Sequence, residues 1–286
     1  MSSTAASRFS WHGFQTAKFP TVAPWVETMG RVGHISKGVV YFVMGLLAFR
    51  LAIGAGGEVA GARDAIREIG EQSYGRILLG LIAIGLLAYT AWRWVQAAKD
   101  TEGVGTDAKG LTKRIAYAVS GLIYLTLGCF AGSLALGFGS SSSGGSGSDT
   151  GAFLLDSPVG RVVLAIAGVI TVIAGFIFIY KGYQAKFMGK YNLAEMSNSL
   201  RKLALHAGRT GLITRGIAVI IIGGFLVQSA WFQADSGQIA GMSDALAAIA
   251  AQPFGKVLIG ITGFGLMAYA VHMCLLGWYR HFNVRH

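Results

Sequence analysis

Charge is scarce in this chain. Asp, Glu, Lys and Arg make up 13% of its 286 residues, about half the share of an ordinary soluble domain, which argues against a water-soluble fold. Proline is scarcer still. Of the four, Pro20, Pro24, Pro158 and Pro253, none falls inside a long apolar run, so those runs can continue as unbroken helices. The two cysteines, Cys129 and Cys274, both sit within apolar runs and make no disulfide framework. No run alternates apolar with polar residues, which excludes membrane-spanning β-strands. The Gly/Ser run at 139–148 has neither the lysine nor the following helix of a phosphate loop. Nucleophile motifs and metal-ligand clusters are also missing. No catalytic residue, metal or cofactor is therefore expected, and an enzyme is not expected. The first thirty residues lack the apolar core of a secretory signal.

What is abundant is apolar sequence: 53% hydrophobic residues and 42 glycines. Six runs, near 36–55, 75–97, 113–138, 159–181, 212–232 and 254–279, reach the roughly 20 residues that cross a bilayer as a helix. The expected fold is an all-α integral membrane protein with six transmembrane helices. Residues 1–30 carry Phe9, Trp11, Phe14, Phe19 and Trp25 among Arg8 and Lys18, a mixture suited to an arm in the headgroup region.

Lys and Arg gather in alternate connections. The first arm has Arg8, Lys18, Arg31 and Lys37. The 98–114 link has Lys99, Lys109, Lys113 and Arg114, and the 181–215 link has seven more. This asymmetry places both termini in the cytoplasm and the chain in a bacterial inner membrane. The net charge of +11 is thereby spread over loops, not gathered on one face. Its expected partner is the anionic inner leaflet, with other membrane proteins as further partners and no nucleic acid.

The runs repeat as pairs. Gly38, Gly121 and Gly216 align, and so do Gly45, Gly128 and Gly223 seven residues later. Arg31, Arg114 and Arg209 fall in register, and Lys37 falls on Ser120 and Arg215. In the second helices Gly75, Gly160 and Gly255 align, each followed by Arg76, Arg161 or Lys256 and preceded at eleven residues by Asp64, Asp149 or Asp244. Three parallel helix hairpins follow, expected as a pseudo-threefold bundle. They occupy 31–100, 111–183 and 209–280, with a basic connection at 184–208. Outer loops 56–74 and 242–251 suit short amphipathic helices. The pattern from Asn192 to Leu203 suggests an interfacial helix. Glycines seven apart share a helix face, so the six glycines are expected to be packing seams.

The stretches Arg31-Val-Gly-His-Ile-Ser-Lys-Gly-Val-Val-Tyr, Leu87-Ala-Tyr-Thr-Ala-Trp and Gln252-Pro-Phe-Gly-Lys-Val-Leu resemble a bacterial family, domain of unknown function 1206. The resemblance covers about Arg31 to Arg280. It implies three copies of a two-helix membrane domain and supplies no activity, ligand or catalytic residue.

Ionisable and polar groups inside the runs are the remaining candidates. Arg50, Ser133 and Gln228 occupy equivalent places near the outer ends of the first helices, where they could form an outer polar level or simply reach the headgroups. Arg50 lies about 120° around the helix from Gly38, so such a level and the glycine seam cannot share a face. The Asp and Arg/Lys pairs Asp64/Arg76, Asp149/Arg161 and Asp244/Lys256 are expected as caps or loop staples, with a charged pore mouth as the alternative. Arg93 is expected to anchor at the interface, and His34 and His272 to be hydrogen-bonded. With no proline and no acidic residue at mid-depth, the sequence favours a structural, interaction or accessory role. The alternative is a small-solute or ion transporter with a path along the pseudo-threefold axis.

Overall fold

A computed structural model of the chain describes residues 24–56, 61–103, 105–138, 157–232, 246–247 and 249–280. Seven α-helices account for nearly all of it: α1 (Pro24–Ala52), α2 (Ala62–Glu71), α3 (Gly75–Lys99), α4 (Ala108–Ala135), α5 (Pro158–Tyr183), α6 (Asn198–Phe232) and α7 (Gly255–Tyr279). All but α2 are long and apolar enough to span a membrane. Their starts are written locally. Asp107 accepts the Gly110 N–H at 2.9 Å, and Ser157 accepts the Gly160 N–H at 2.8 Å with Pro158 in the first turn. Each fills a donor that the helix itself cannot satisfy. Short α2 is the expected amphipathic helix of the first outer loop. It buries Ala65, Ile66 and Ile69 across the ends of α1, α3 and α4. Between α6 and α7, residues 246–247 and 249–250 are helical. The N-terminal arm before Pro24 and the Gly/Ser run lie outside the described residues.

One expectation changes here. The stretch from Asn192 to Leu203 is no separate interfacial helix. Residues Lys186–Lys190 and Leu193–Glu195 form short 3-10 turns, and α6 starts at Asn198. The remainder of that stretch, and residues 198–208 of the expected connection, are therefore turns of a 35-residue helix. At about 1.5 Å per residue it is about 52 Å long, well beyond the ~30 Å hydrocarbon core.

The closest seams run between units. Helix α7 packs on α1, α3 on α4, and α5 on α6, so the second helix of each unit grips the first helix of the next, and unit three closes onto unit one. Glycine makes these contacts possible. A methyl on Gly45 would stand 2.6 Å from the Gly263 carbonyl, and one on Gly263 would stand 2.7 Å from the Gly45 carbonyl. Gly175 and Gly216 face each other the same way, as do Gly168 and Gly223. In α3–α4 the match is looser: Gly121 lies against Trp94 and Gly128 against Leu87, while the Thr90 hydroxyl donates to the Gly121 carbonyl at 3.2 Å. Without a hydrophobic drive between helices in lipid, such close approach and hydrogen bonding hold the bundle together. The aligned arginines finish the seams. Arg31 donates to the Gly277 and Trp278 carbonyls at the end of α7. Arg114 donates to the equivalent Ala97 and Ala98 carbonyls at the end of α3, at 2.6 and 3.0 Å. Both supply donors and positive charge to a helix C-terminus.

Contacts within a unit are uneven. Helices α1 and α3 pack together, as do α6 and α7, but α4 and α5 lack such an extended contact among the described residues. The sequence explains it. Gly33 lies against the Tyr89 backbone and Gly85 against Ser36; Gly211 and Gly265 repeat this with Tyr269 and Thr214. All four glycines are buried. At the corresponding places the middle unit has Ala116, which is exposed, and Ile170, 60% exposed, while Val119, in the place of Ser36, is 51% exposed. The helices therefore follow the order α4–α3–α1–α7–α6–α5, tight at each of these seams and loose between α5 and α4. Ile77, Leu81, Ile84, Ile166, Ile261 and Phe264 stand exposed, a surface that suits lipid and not water.

Candidate functional site

Lys37, Arg93 and Arg215 converge within this bundle, the lysine buried and the two arginines half-buried. Lys37 of α1 is 2% exposed. Its Nζ lies 4.8 Å from the Tyr124 ring centre, 5.1 Å from Tyr89, 5.6 Å from Tyr269 and 5.9 Å from Tyr41. It also donates to the Tyr89 hydroxyl at 3.4 Å. The Arg93 guanidinium from α3 sits over Tyr89 and Tyr117, donates to the Tyr89 hydroxyl and reaches the Gln96 side-chain carbonyl at 3.0 Å. Arg215 of α6 sits over Tyr41, Tyr269 and Phe178 and donates to the Tyr269 hydroxyl. All six spanning helices thus contribute a side chain to one cluster. The rings interlock edge to face, Tyr89 with Tyr124 at 4.7 Å and Tyr41 with Tyr269 at 4.8 Å.

The repeat builds this arrangement. Lys37 and Arg215 hold one position in units one and three, with Ser120 between them. Tyr41 and Tyr124 hold a second, and Tyr89 and Tyr269 a third. Arg93 stands four residues after Tyr89 and Tyr41 four after Lys37, each pair on one helix face. Lys37 and Arg215 thus do not serve as anchors at the membrane surface, and Arg93 is no interfacial anchor either. All three turn inward. The clue was present in the repeated tyrosines and in the one-turn spacing of cation and ring.

The charge balance is unusual. Among the described residues no carboxylate lies within 4 Å of Lys37, Arg93 or Arg215. The Nε atoms of Arg93 and Arg215 are buried with no hydrogen-bond partner among the described residues. Burying a charge costs several kcal/mol even after relaxation. Cation–π contacts return about 2 kcal/mol or more in a dry site, but neutral rings leave the repulsion among the three cations in place, eased at Arg93 by Glu102 of the α3–α4 link, which shares Gln96 and Tyr117 with it. Such a cluster favours an anion. Guanidinium forks, an ammonium and tyrosine hydroxyls are the donors that phosphate and carboxylate groups bind.

One end of the cluster is shut by a polar clasp, on the side where both described chain ends lie. Glu102, in the α3–α4 link, accepts from Lys190 at 2.8 Å, Arg280 at 2.9 Å, Gln96 at 3.1 Å and Tyr117 at 2.7 Å. The 184–197 link tucks beneath the bundle. It buries Phe187, Met188, Tyr191 and Met196, and its Asn192 N–H donates to the Tyr279 carbonyl at 2.7 Å. Burial alone would raise the Glu102 pKa, but Lys190 and Arg280 together hold it well below the usual carboxylate range. Burial outweighs Glu102 at Lys190, whose pKa falls to about 8. Toward the opposite end the core is apolar and dense, with Met44, Leu79, Leu86, Ile259 and Leu266 each at most 2% exposed.

A pH prediction follows from the clasp. With the folded-state pKa of Glu102 below the unfolded value near 4.5, its contribution is complete above that value and is lost as pH falls through the folded pKa. In detergent the wild type is expected to melt at higher temperature than Glu102→Gln at pH 7, the difference closing as pH falls from 4.5. A difference independent of pH would show that the carboxylate charge plays no part.

The other candidate residues stand apart from the cluster. Arg50 and Gln228 are exposed, Arg50 reaching the Ala55 carbonyl at 3.3 Å. Ser133 bonds the Phe130 carbonyl of its own helix. No hydrogen bond or ring contact joins the three among the described residues, and no outer polar ring forms. Asp64 accepts from the Gly61 N–H at 2.9 Å and pairs with Arg67 at 3.1 Å, so it caps α2 and does not staple Arg76. Arg76 and Lys256 are exposed and Arg161 is half-buried. Asp149 and Asp244 lie outside the described residues. His34 bonds the Gly30 carbonyl through Nδ1 and meets Arg280 through Nε2, while His272 bonds the Tyr191 hydroxyl.

Six apolar helices in three pseudo-symmetric pairs around an interior charged cluster define a multi-pass membrane protein of the triple-hairpin kind. The chain belongs to the family described as Domain of Unknown Function (DUF1206), which matches it over residues 32–100, 115–185 and 210–280. The links between the matched segments, around Glu102 and Lys190, are those that form the clasp. An uncharacterized protein of Bacillus subtilis (strain 168), YxxB, is 33% identical over 258 residues, spanning 90% of this chain and 92% of its own. No solved structure matches the chain.

Proposed function

We propose that this protein is an anion-binding membrane protein whose site is the cluster of Lys37, Arg93 and Arg215 with Tyr41, Tyr89, Tyr124 and Tyr269. The observation that carries this reading is the convergence of three cations in a bundle interior with no carboxylate within 4 Å among the described residues. A purely structural or accessory role gives these charges no purpose, since apolar side chains of similar volume would pack the same space more stably. The distribution of Lys and Arg supports a bacterial inner membrane with the clasp end facing the cytoplasm. The dense apolar core at the other end supports binding from the cytoplasmic half or from the bilayer over a through-path along the axis.

Isothermal titration of the detergent-solubilised protein with inorganic phosphate at low ionic strength tests this. One saturable site per chain is expected, weakened by chloride and weakened about 100-fold or more in the double variant Lys37→Gln/Arg215→Gln. That figure follows from about 1.5–3 kcal/mol for each charge-assisted hydrogen bond lost. Unchanged helix content by circular dichroism controls for misfolding. Absence of a saturable site in the wild type, or equal binding in the variant, would overturn the reading.

A further inference from the structure

We infer that the anion is the headgroup of a bilayer amphiphile, a phosphate or carboxylate carrying an acyl chain, which reaches the cations laterally between α4 and α5. The inference rests on the anion site proposed above and adds a ligand class and a route.

Three observations converge on it. First, the ring of helices is loose at one place only among the described residues, between α4 and α5. Units one and three close their hairpins on Gly33/Gly85 and Gly211/Gly265, all buried. The middle unit has Ala116 and Ile170 in those places, with Ile170 60% exposed and neighbouring Val119 51% exposed. Ala174 also replaces the tyrosine that fills the hairpin at Tyr89 and Tyr269.

Second, the walls of this opening lead to the cluster. The same two helices that diverge bring Tyr117 and Tyr124 from α4 and Phe178 from α5 against Arg93, Lys37 and Arg215. An apolar mouth in the hydrocarbon region thus opens toward three cations, the complement of an amphiphile with an anionic head. Third, the other approaches are filled: the clasp and the 184–197 link close one end, and Met44, Leu86 and Leu266 close the axis on the other. Depth is also compatible. Tyr269 lies about 15 Å along α7 from its end at Tyr279, at about 1.5 Å per residue. A headgroup must therefore leave the interface to arrive there, which only a strong local positive field favours.

Native mass spectrometry of the detergent-solubilised chain, doped with either phosphatidylglycerol or phosphatidylcholine, decides the matter. One phosphatidylglycerol per chain is expected, retained at about tenfold lower lipid concentration than phosphatidylcholine. Retention should be lost in Lys37→Gln/Arg215→Gln. It should also be lost in Ile170→Trp and Val119→Trp, which fill the seat of an acyl chain at exposed positions where folding is undisturbed, while inorganic phosphate, small and without an acyl chain to seat there, still passes and titrates. Equal retention of the two lipids, or full retention in both mouth variants with phosphate binding intact, overturns the lateral route and leaves the anion site standing. Failure of both phosphate and phosphatidylglycerol to bind overturns both. A two-chain species that either tryptophan dissociates would make a second copy the occupant of this face, and also overturns the inference.

Discussion

Lys37→Met is expected to raise the melting temperature of the solubilised protein while weakening anion binding. A side chain 2% exposed that carries a cation with no carboxylate beside it among the described residues is paid for by the rest of the fold. Four tyrosine rings offset part of the desolvation, but Arg93 and Arg215 add repulsion. Methionine keeps the length of the stem and leaves a thioether among aromatic rings, a contact worth about 0.3–1.5 kcal/mol. Replacing a buried ion pair or triad by apolar volume is often neutral or stabilising by about 1–4 kcal/mol, and with no paired carboxylate to lose among the described residues a gain of about 1–3 kcal/mol is expected here. Phosphate binding should weaken about 10- to 100-fold, from the one charged donor lost. Lys37→Arg, which copies Arg215 at the equivalent position, is expected to keep the site. The pair of readouts separates the two roles open to this lysine. Lower stability with unchanged binding would mean that the cage serves the fold.

Gly45→Leu is expected to destabilise the bundle by about 3 kcal/mol or more, above the ~1–3 kcal/mol that overpacking costs where side chains can yield. A Cβ there would stand 2.6 Å from the Gly263 carbonyl and 2.8 Å from the Met267 nitrogen, both of them backbone that cannot rotate away. Here α1 and α7 must separate, and the seam that closes unit three on unit one is lost with them. The control is close at hand. At Gly80 and Gly224 an added methyl group would meet nothing within 4 Å, so Gly80→Ala and Gly224→Ala should be neutral or stabilise by about 0.5–1 kcal/mol through helix propensity alone. Thermal melts and size-exclusion profiles in one detergent compare all three. Equal melting of Gly45→Leu and Gly80→Ala would refute the seam.

Both expectations join what the sequence shows to what it hides. The seven-residue spacing of Gly38/Gly45, Gly121/Gly128 and Gly216/Gly223 marks each as one face of a helix. It does not say which helix comes to that face. Pairing within a hairpin is the natural guess, yet Gly45 meets Gly263 and Gly216 meets Gly175, partners from the neighbouring unit. Apolar faces give no further direction, because lipid tails and partner helices reward the same residues. Lys37 and Arg93 were misleading for a related reason. A cation within a few turns of a helix end has the composition of a snorkelling anchor, and only its rotation about the axis, fixed by packing, tells interior from surface.

Sequence by itself determined the six spans, the three hairpin units, the glycine faces and the short helix α2. Those features depend on composition, period and internal repetition, which are local properties of the chain. Tertiary structure alone decided that each unit grips the next and that the middle hairpin stands open. It also decided that Lys37, Arg93 and Arg215 meet among four tyrosines on the axis. Their meeting depends on how six helices rotate and approach one another, and backbone-to-backbone contacts between residues more than two hundred positions apart, such as Gly45 with Gly263, set that rotation.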